Sequence, residues 1–342
     1  MPVTVIVGGQ FGGEGKGKVA HFLAREMNAS IAIRVGGTNS GHTVIDRTGQ
    51  PLVLRQLPTA SILPSVVCIL GAGSYINPEI LFNELAETRL SSGRLFIDPH
   101  AMVITEQDIH EEEKGSLRKA IGSTLSGTGA AVRRRISRDS TVRLAKDEER
   151  LRKFIRPIIP FLRDNLSKGE RIILEGTQGF GLSLLHSPYY PYSTSRDTTA
   201  AAFVSEAGIS PLDVDDIVLV IRAFPIRVSG NSGHLPNEIN WKTVTEEARS
   251  TDMLYELTSV TRTTRRVARF DADIVQRAII ANRPTRIVMN HLDYISPNNN
   301  HSVQCVKFVE MAESAVESKI DYVGFGRAVL QSRSAIGETI AG

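Results

Sequence analysis

Val3-Thr4-Val5-Ile6-Val7 runs directly into Gly8-Gly9-Gln10-Phe11-Gly12-Gly13-Glu14-Gly15-Lys16-Gly17-Lys18-Val19, and this stretch decides the fold class. The first five residues favour extended backbone and are apolar apart from Thr4, as in a strand buried on both faces. The glycines after them let backbone N–H groups approach an anion closely, and a helix starting near Lys16 adds the partial positive charge of its N-terminus. Lys16 and Lys18 supply point charges. Gly12 to Lys18 has the Gly-x-x-x-x-Gly-Lys spacing of a phosphate loop, although Val19 stands where a Ser or Thr would hold magnesium. A flexible glycine turn before an amphipathic helix is the plainer alternative. The order strand, turn, lysines, helix favours phosphate binding.

Further β-branched, apolar runs occur at Ile31–Val35, Val66–Leu70, Ile172–Leu174, Ile217–Ile221 and Arg286–Met289, mostly continuous and not alternating. Helical patterns lie between them at Lys16–Met27, Pro78–Leu90, Ala145–Asn165, Thr243–Leu257, Ala272–Ala281 and Val309–Ser318. This alternation predicts an α/β fold: a mostly parallel central sheet, flanking helices and a phosphate-loop-like N-terminus. Residues 107–147 are rich in charge, Gly, Ser and Thr and read as a mobile loop insert with a basic helical stretch, carried by a single domain over 1–342.

Composition narrows the function classes. With 40 basic and 37 acidic side chains among 342 residues the net charge is +3, too little for a nucleic-acid-binding stripe. No window approaches the roughly 18 apolar residues of a membrane span, and the opening residues lack the tract of a signal peptide, so a cytoplasmic address is expected. Cys68 and Cys305 are too few for a disulfide framework or a zinc site, and the eight histidines show no paired ligand spacing. A bound metal is therefore expected to be a hard ion held by oxygens and phosphates.

The glycine-rich stretch resembles the Gly-Gln-Trp-Gly-Asp-Glu-Gly-Lys-Gly-Lys segment of adenylosuccinate synthetases. Further motifs follow in that family's order: Gly36-Gly37-Thr38-Asn39-Ser40-Gly41-His42-Thr43, Ile121-Gly122-Ser123-Thr124, Leu174-Glu175-Gly176-Thr177-Gln178-Gly179 with Tyr190-Pro191-Tyr192-Ser193-Thr194-Ser195, Phe224-Pro225-Ile226-Arg227-Val228, and Arg265-Arg266-Val267-Ala268-Arg269-Phe270-Asp271. The resemblance implies a ligase that activates the 6-oxo group of a purine nucleotide with the γ-phosphate of a nucleoside triphosphate, after which aspartate's amine displaces that phosphate. It implies Mg2+, with a carbonyl ligand at Gly41, and His42 facing the 6-oxygen and the transferring phosphoryl. Gly12, Glu14, Gly15, Lys16, Gly17, Lys18 and Thr43 are expected at the donor's phosphates, and Asn290, His291, Asp293, Gly324 and Gly326 around its base. Asn39, Ser123, Thr124, Gln178, Thr194 and Val228 are expected on the acceptor, and Thr261, Thr263 and Arg265 on L-aspartate. Arg138 matches an arginine that reaches the nucleotide of a neighbouring subunit, which implies a homodimer. The adjacent Arg133-Arg134-Arg135 could form a nucleic-acid patch, but it reads more readily as a solvated face, since the overall charge gives no basic stripe.

Three departures from the family pattern bear on the substrate. Gly13 replaces the aspartate that takes the N1 proton and helps hold magnesium, leaving the backbone at a position counted as catalytic, acceptor-binding and metal-binding. Thr263 replaces an arginine that touches both aspartate and ribose, and His291 replaces a lysine that stacks on guanine. Guanine carries a 2-amino group next to N1, which an aspartate at 13 would crowd. Phage relatives that make succino-2-amino-deoxyadenylate for 2-aminoadenine also have a small residue there. The reading is therefore dGMP as acceptor with ATP or dATP as donor, in host cytoplasm if the chain is phage-encoded. An ordinary synthetase using IMP and GTP and a non-catalytic nucleotide switch are the alternatives.

Overall fold

The computed structural model describes residues 2–115, 121–258, 262–297 and 302–336. Strand β1, Val3–Gly8, is buried at every position and pairs in parallel with Ile172–Glu175 on one side and Val214–Arg222 on the other. Around it the sheet runs Val329–Ser332, Tyr322–Phe325, Arg286–Asn290, Val214–Arg222, β1, Ile172–Glu175, Ile31–Arg34, Val67–Leu70, Leu95–Ile97. Only Val329–Ser332, at one edge, runs antiparallel to its neighbour. Alternate side chains of β1 feed two apolar layers. Val3, Val5 and Val7 join Leu162, Phe203, Ile274 and Val309 on one face, while Ile6 meets Val19, Ala20 and Leu23 of helix α1, Lys16–Glu26, on the other. Burial on both faces is why these strands read as continuous apolar runs.

The chain leaves β1 to build one half of the sheet, then returns to build the other. That reversal makes the carboxyl end of β1 a topological switch point, where open α/β sheets bind ligands. The loops bearing most of the expected site residues leave carboxyl ends of these strands: 9–15 after β1, 35–41 after Ile31–Arg34, 176–195 after Ile172–Glu175, 223–228 after Val214–Arg222 and 291–293 after Arg286–Asn290.

Several expected helices have different limits. Ala145–Asn165 is two 3-10 turns, Ala145–Asp147 and Glu149–Phe154, followed by a helix at Ile158–Ser167. Pro157 imposes the break, because it lacks an N–H and disfavours helical backbone before it. Thr243–Leu257 shrinks to Trp241–Glu247, capped by the Asn240 side chain and followed by a left-handed Arg249. Val309–Ser318 begins earlier, at Val303, where the Ser302 side chain caps it. Within 107–147, expected as a loop insert with a basic helical stretch, the described residues hold two helices separated by stretches without helix. Helix Glu106–Lys114 packs on Thr128–Ile136, with Glu112 accepting from the N–H groups of Gly127, Gly129 and Ala130. Arg134 is buried and forms two 2.7 Å bonds to Asp108, so this residue of the basic run is a packing element. Among the described residues, no helix is long and apolar enough to cross a membrane.

Candidate active site

The loop after β1 is fixed from within by Glu14. Its buried carboxylate accepts from the N–H groups of Gln10 at 3.2 Å and Gly12 at 2.8 Å, and pairs with Lys16 Nζ at 2.7 Å. Asn290 Nδ2 donates to the Glu14 carbonyl from the end of Arg286–Asn290, two strands from β1. Gly12, Gly13 and Gly15 all have positive φ, a conformation costly to residues with a Cβ. At Gly17 the limit is space: a Cβ would lie 2.8 Å from both His42 Cβ and Thr59 Cγ2, so α1 starts directly against the histidine.

His42 opens the strand His42–Ile45, and its Nδ1 meets the Glu175 carboxylate. Glu175 is the last residue of an otherwise apolar strand, is 1% exposed, and also accepts from Thr59 N–H and Oγ–H at 2.8 Å. Arg34 Nη1 lies 3.8 Å away. Burial, reinforced by Arg34, pulls the His42 imidazole down to about 4 against the opposing pull of Glu175. Burial alone would raise the Glu175 carboxyl, but the hydrogen bond from His42 and the nearby cations hold it below its ordinary value. The unliganded pair is thus a neutral imidazole donating Nδ1–H to a carboxylate, which fixes the tautomer.

A cavity of about 670 Å³ opens in front of these groups. Gly12, Gly13, Lys16, Asn39, Gly41, His42, Ser123, Thr124, Gln178, Thr194, Val228 and Arg265 all line it. Gly13, at φ 69°, presents bare backbone to the cavity. A Cβ there would lie 2.6 Å from Ile226 Cδ1 and 3.3 Å from one Nη of each of Arg222 and Arg265.

The residues expected around the donor base gather beside the loop, outside this cavity. Lys18 Nζ donates to the carbonyls of Gly326 and Val329 at 3.1 Å, and burial lowers it to about 8. Asp293 accepts the Gly326 N–H at 2.8 Å. Gly324 abuts Lys18 Nζ and the Asn290 side chain. The His291 ring stacks on Tyr294, with centroids 5.7 Å apart, and interacts with the Gly13 backbone, with burial holding it well below its usual value. Glu14, Gly15, Gly17 and Thr43 serve the loop and its support without lining the cavity. Arg138 is exposed, away from this chain's own cavity. Thr263 is exposed and accepts from Ser229 Oγ at 2.9 Å, next to Val228. Thr261 lies outside the described residues.

Sequence reasoning left two parts of this site without a role. One is Glu175, which stands within the Leu174–Gly179 motif. The other is the fully buried Arg222, which donates from Nη1 to the Gly13 carbonyl at 2.8 Å and pairs with Glu256. Glu256 also approaches Arg265 Nε at 3.7 Å; burial would raise its carboxyl, but Arg222, His291 and Arg265 hold it down to about 2. A signal existed: Arg34, Glu175 and Arg222 each end an apolar strand, and charges buried that way are almost always paired.

A glycine-rich loop fixed by Glu14, a buried His–carboxylate pair and an arginine-lined cavity at a sheet switch point together define a nucleotide-handling enzyme. The adenylosuccinate synthetase family model matches residues 5–147 and 139–309. The adenylosuccinate synthetase of Methanococcus maripaludis is 34% identical over 99% of both chains, and that of Methanocaldococcus jannaschii 33% identical over 99% of this chain and 96% of its own. The chain belongs to the adenylosuccinate synthetase family, carbon–nitrogen ligases driven by a nucleoside triphosphate. Among solved structures, the succinoaminodeoxyadenylate synthetase of cyanophage S-2L, bound to dGMP and to dATP as energy donor, superposes with a TM-score of 0.85 at 28% identity, covering 99% of this chain and 97% of that one. The fully ligated adenylosuccinate synthetase of Plasmodium falciparum shares the fold, with a TM-score of 0.83 at 19% identity and coverage of 96% and 98%.

Proposed function

We propose that this ligase joins L-aspartate to the 6-position of dGMP, giving 2-amino-2′-deoxy-N6-succino-adenylate for 2-aminoadenine deoxynucleotide synthesis, with ATP or dATP as donor, in the cytoplasm. The observation that carries the reading is Gly13: the cavity wall has no side chain where an N1-directed aspartate would crowd the 2-amino group. Thr263, hydrogen-bonded to Ser229 beside Val228, gives the sugar no arginine, as suits a 2′-deoxynucleotide. The cyanophage enzyme's dGMP and dATP point the same way. A second reading, IMP with GTP, is favoured by the higher identity to archaeal synthetases.

In this mechanism the acceptor's 6-oxygen attacks the γ-phosphorus, the nucleoside diphosphate leaves, and the N1 proton passes to water in the space before Gly13. Aspartate's amine then bonds to C6, inorganic phosphate departs, and the amine sheds a proton. His42 stabilises charge on the 6-oxygen and the phosphoryl group. As an imidazolium it donates from Nε2 while Glu175 holds Nδ1–H, and the dianionic ligand raises its affinity for that second proton. Lys16, held by Glu14, carries charge at the phosphates. Arg265 offers a planar fork to aspartate's carboxylate. Magnesium would enter on the triphosphate and neutralise phosphate charge. The described residues hold no cluster of three His, Cys, Asp or Glu, which suits an ion carried mainly by phosphate and water oxygens with Gly41 as a protein contact.

The test offers purified protein magnesium and aspartate with dGMP or IMP, each with ATP, dATP or GTP, and reads product mass. Turnover with dGMP and an adenine donor is expected. Turnover confined to IMP overturns the dGMP reading.

A further inference from the structure

Asn39, Gln178 and Thr194 border the main cavity and also a recess of about 10 Å³ behind it, which Thr177, Thr198 and Arg196 help to enclose. The recess walls carry hydroxyls, amides and one guanidinium, with no carboxylate among them. Arg196 is nine-tenths buried. Its Nη2 lies 2.9 Å from Glu206, and its guanidinium sits over the Tyr75 ring at 5.9 Å. Nη1 is buried with no hydrogen-bond partner among the described residues. That nitrogen points toward the turn after Ile31–Arg34: a Cβ built on Gly36 would lie 3.3 Å from it and 2.7 Å from Thr177 Oγ1. It is therefore lodged between the loop that carries Asn39 and the loop that carries Gln178.

A buried guanidinium N–H left unpaired is costly and calls for a water or an anion as partner; the recess shares Asn39, Gln178 and Thr194 with the main cavity, so an anion held by those residues lies next to Arg196. Guanidinium groups match phosphate in charge and in the geometry of their forked donors. Burial pushes the Glu206 carboxyl up to about 7, so its counter-charge at neutral pH is incomplete. We infer that Arg196 binds the 5′-phosphate of the acceptor nucleotide, giving each chain its own cation at the phosphate end of the cavity. This rests on the acceptor being a purine mononucleotide and is indifferent to whether that is dGMP or IMP, since both carry the same phosphate.

Equilibrium binding to the full chain tests it, with dGMP, IMP, deoxyguanosine and inosine as ligands. Arg196→Gln is expected to weaken both nucleotides about 10- to 150-fold, the value of one or two hydrogen bonds to a charged group, and to leave both nucleosides within threefold of wild type. Arg196→Lys recovers part of the loss, and Glu206→Gln retains nucleotide affinity. Equal losses for nucleotides and nucleosides, or no loss, overturn the assignment. Loss of nucleotide binding in Glu206→Gln as large as in Arg196→Gln also overturns it, since the pair would then be holding the fold. Wild-type protein that binds none of the four ligands refutes the acceptor reading itself.

Discussion

Glu175→Gln is the sharpest perturbation of the chemistry, because it removes one charge while keeping an oxygen for the Thr59 N–H and the shape of the side chain. The carboxylate meets His42 Nδ1 in a nearly dry site, and only its influence opposes the burial and the Arg34 charge that pull the imidazole to about 4. A hydrogen bond to a charged group contributes about 1.5–3 kcal/mol, which corresponds to about 10- to 150-fold in rate or about one to two pKa units. In the proposed mechanism the active form in the complex is the imidazolium, so activity is expected to fall as pH rises through the His42 pKa. Without the carboxylate that pKa drops, and the basic limb of kcat moves to lower pH. The expected result is a kcat lowered about 10- to 150-fold, a basic limb displaced downward by about one to two units, and acceptor KM within a few-fold. Stopped assays across pH read both quantities, and a melting curve verifies the fold. A kcat within threefold of wild type with an unmoved limb would refute the claim that the pair acts as one unit.

Gly13→Asp should reduce kcat/KM for dGMP more than for IMP. Its backbone sits at φ 69° and Ile226 lies close, so Gly13→Ala is the control that shares the left-handed strain of about 1–2 kcal/mol without the carboxylate. Relative to Gly13→Ala, the dGMP-to-IMP ratio should fall about 5- to 150-fold, the equivalent of overpacking by about 1–3 kcal/mol, and an unchanged ratio would defeat the steric account. Glu256→Gln leaves Arg222 buried without its counter-ion and should cost about 3–5 kcal/mol in denaturant unfolding. The pH dependence has a defined sign. Glu256 is depressed to about 2, so its contribution is full above about 4.3 and is lost as pH falls toward the folded value. The variant's stability should therefore decline less steeply over that acid range; parallel decline would show that Glu256 does not carry it.

The sheet was legible because its strands are short, continuous apolar runs, and the loops followed from motifs in order. Edge strands such as Leu95–Ile97 and Val329–Ser332 are too short or too exposed to leave that pattern. The helix limits failed where caps and breakers outweigh amphipathic spacing, at Pro157, Asn240 and Ser302. Within the site, motif matching found the residues that face the cavity but passed over those behind them. Glu175, Arg222 and Glu256 were hidden because their meaning lies in pairings across 133 and 34 positions of sequence, and no local pattern encodes a partner that far away.

Those pairings also bear on Gly13. Arg222 and Arg265 converge on the space where its side chain would be, and Glu256 is the only carboxylate that bridges them among the described residues. Glu14 also acts on both arginines but is itself paired with Lys16, so two cations and one anion leave a positive charge beside the bare backbone. An aspartate at 13 would cancel that charge; glycine leaves it to act on the ligand. In the proposed reaction that charge stabilises a purine that has lost its N1 proton, or the carboxylate of an amino acid whose amine attacks C6. The missing carboxylate is thus a change in the sign of the local field as well as in the room available. The proposed acceptor, with a 2-amino group beside N1, draws on both, and the comparison of Gly13→Asp with its neutral isostere Gly13→Asn separates the charge of the site from its shape.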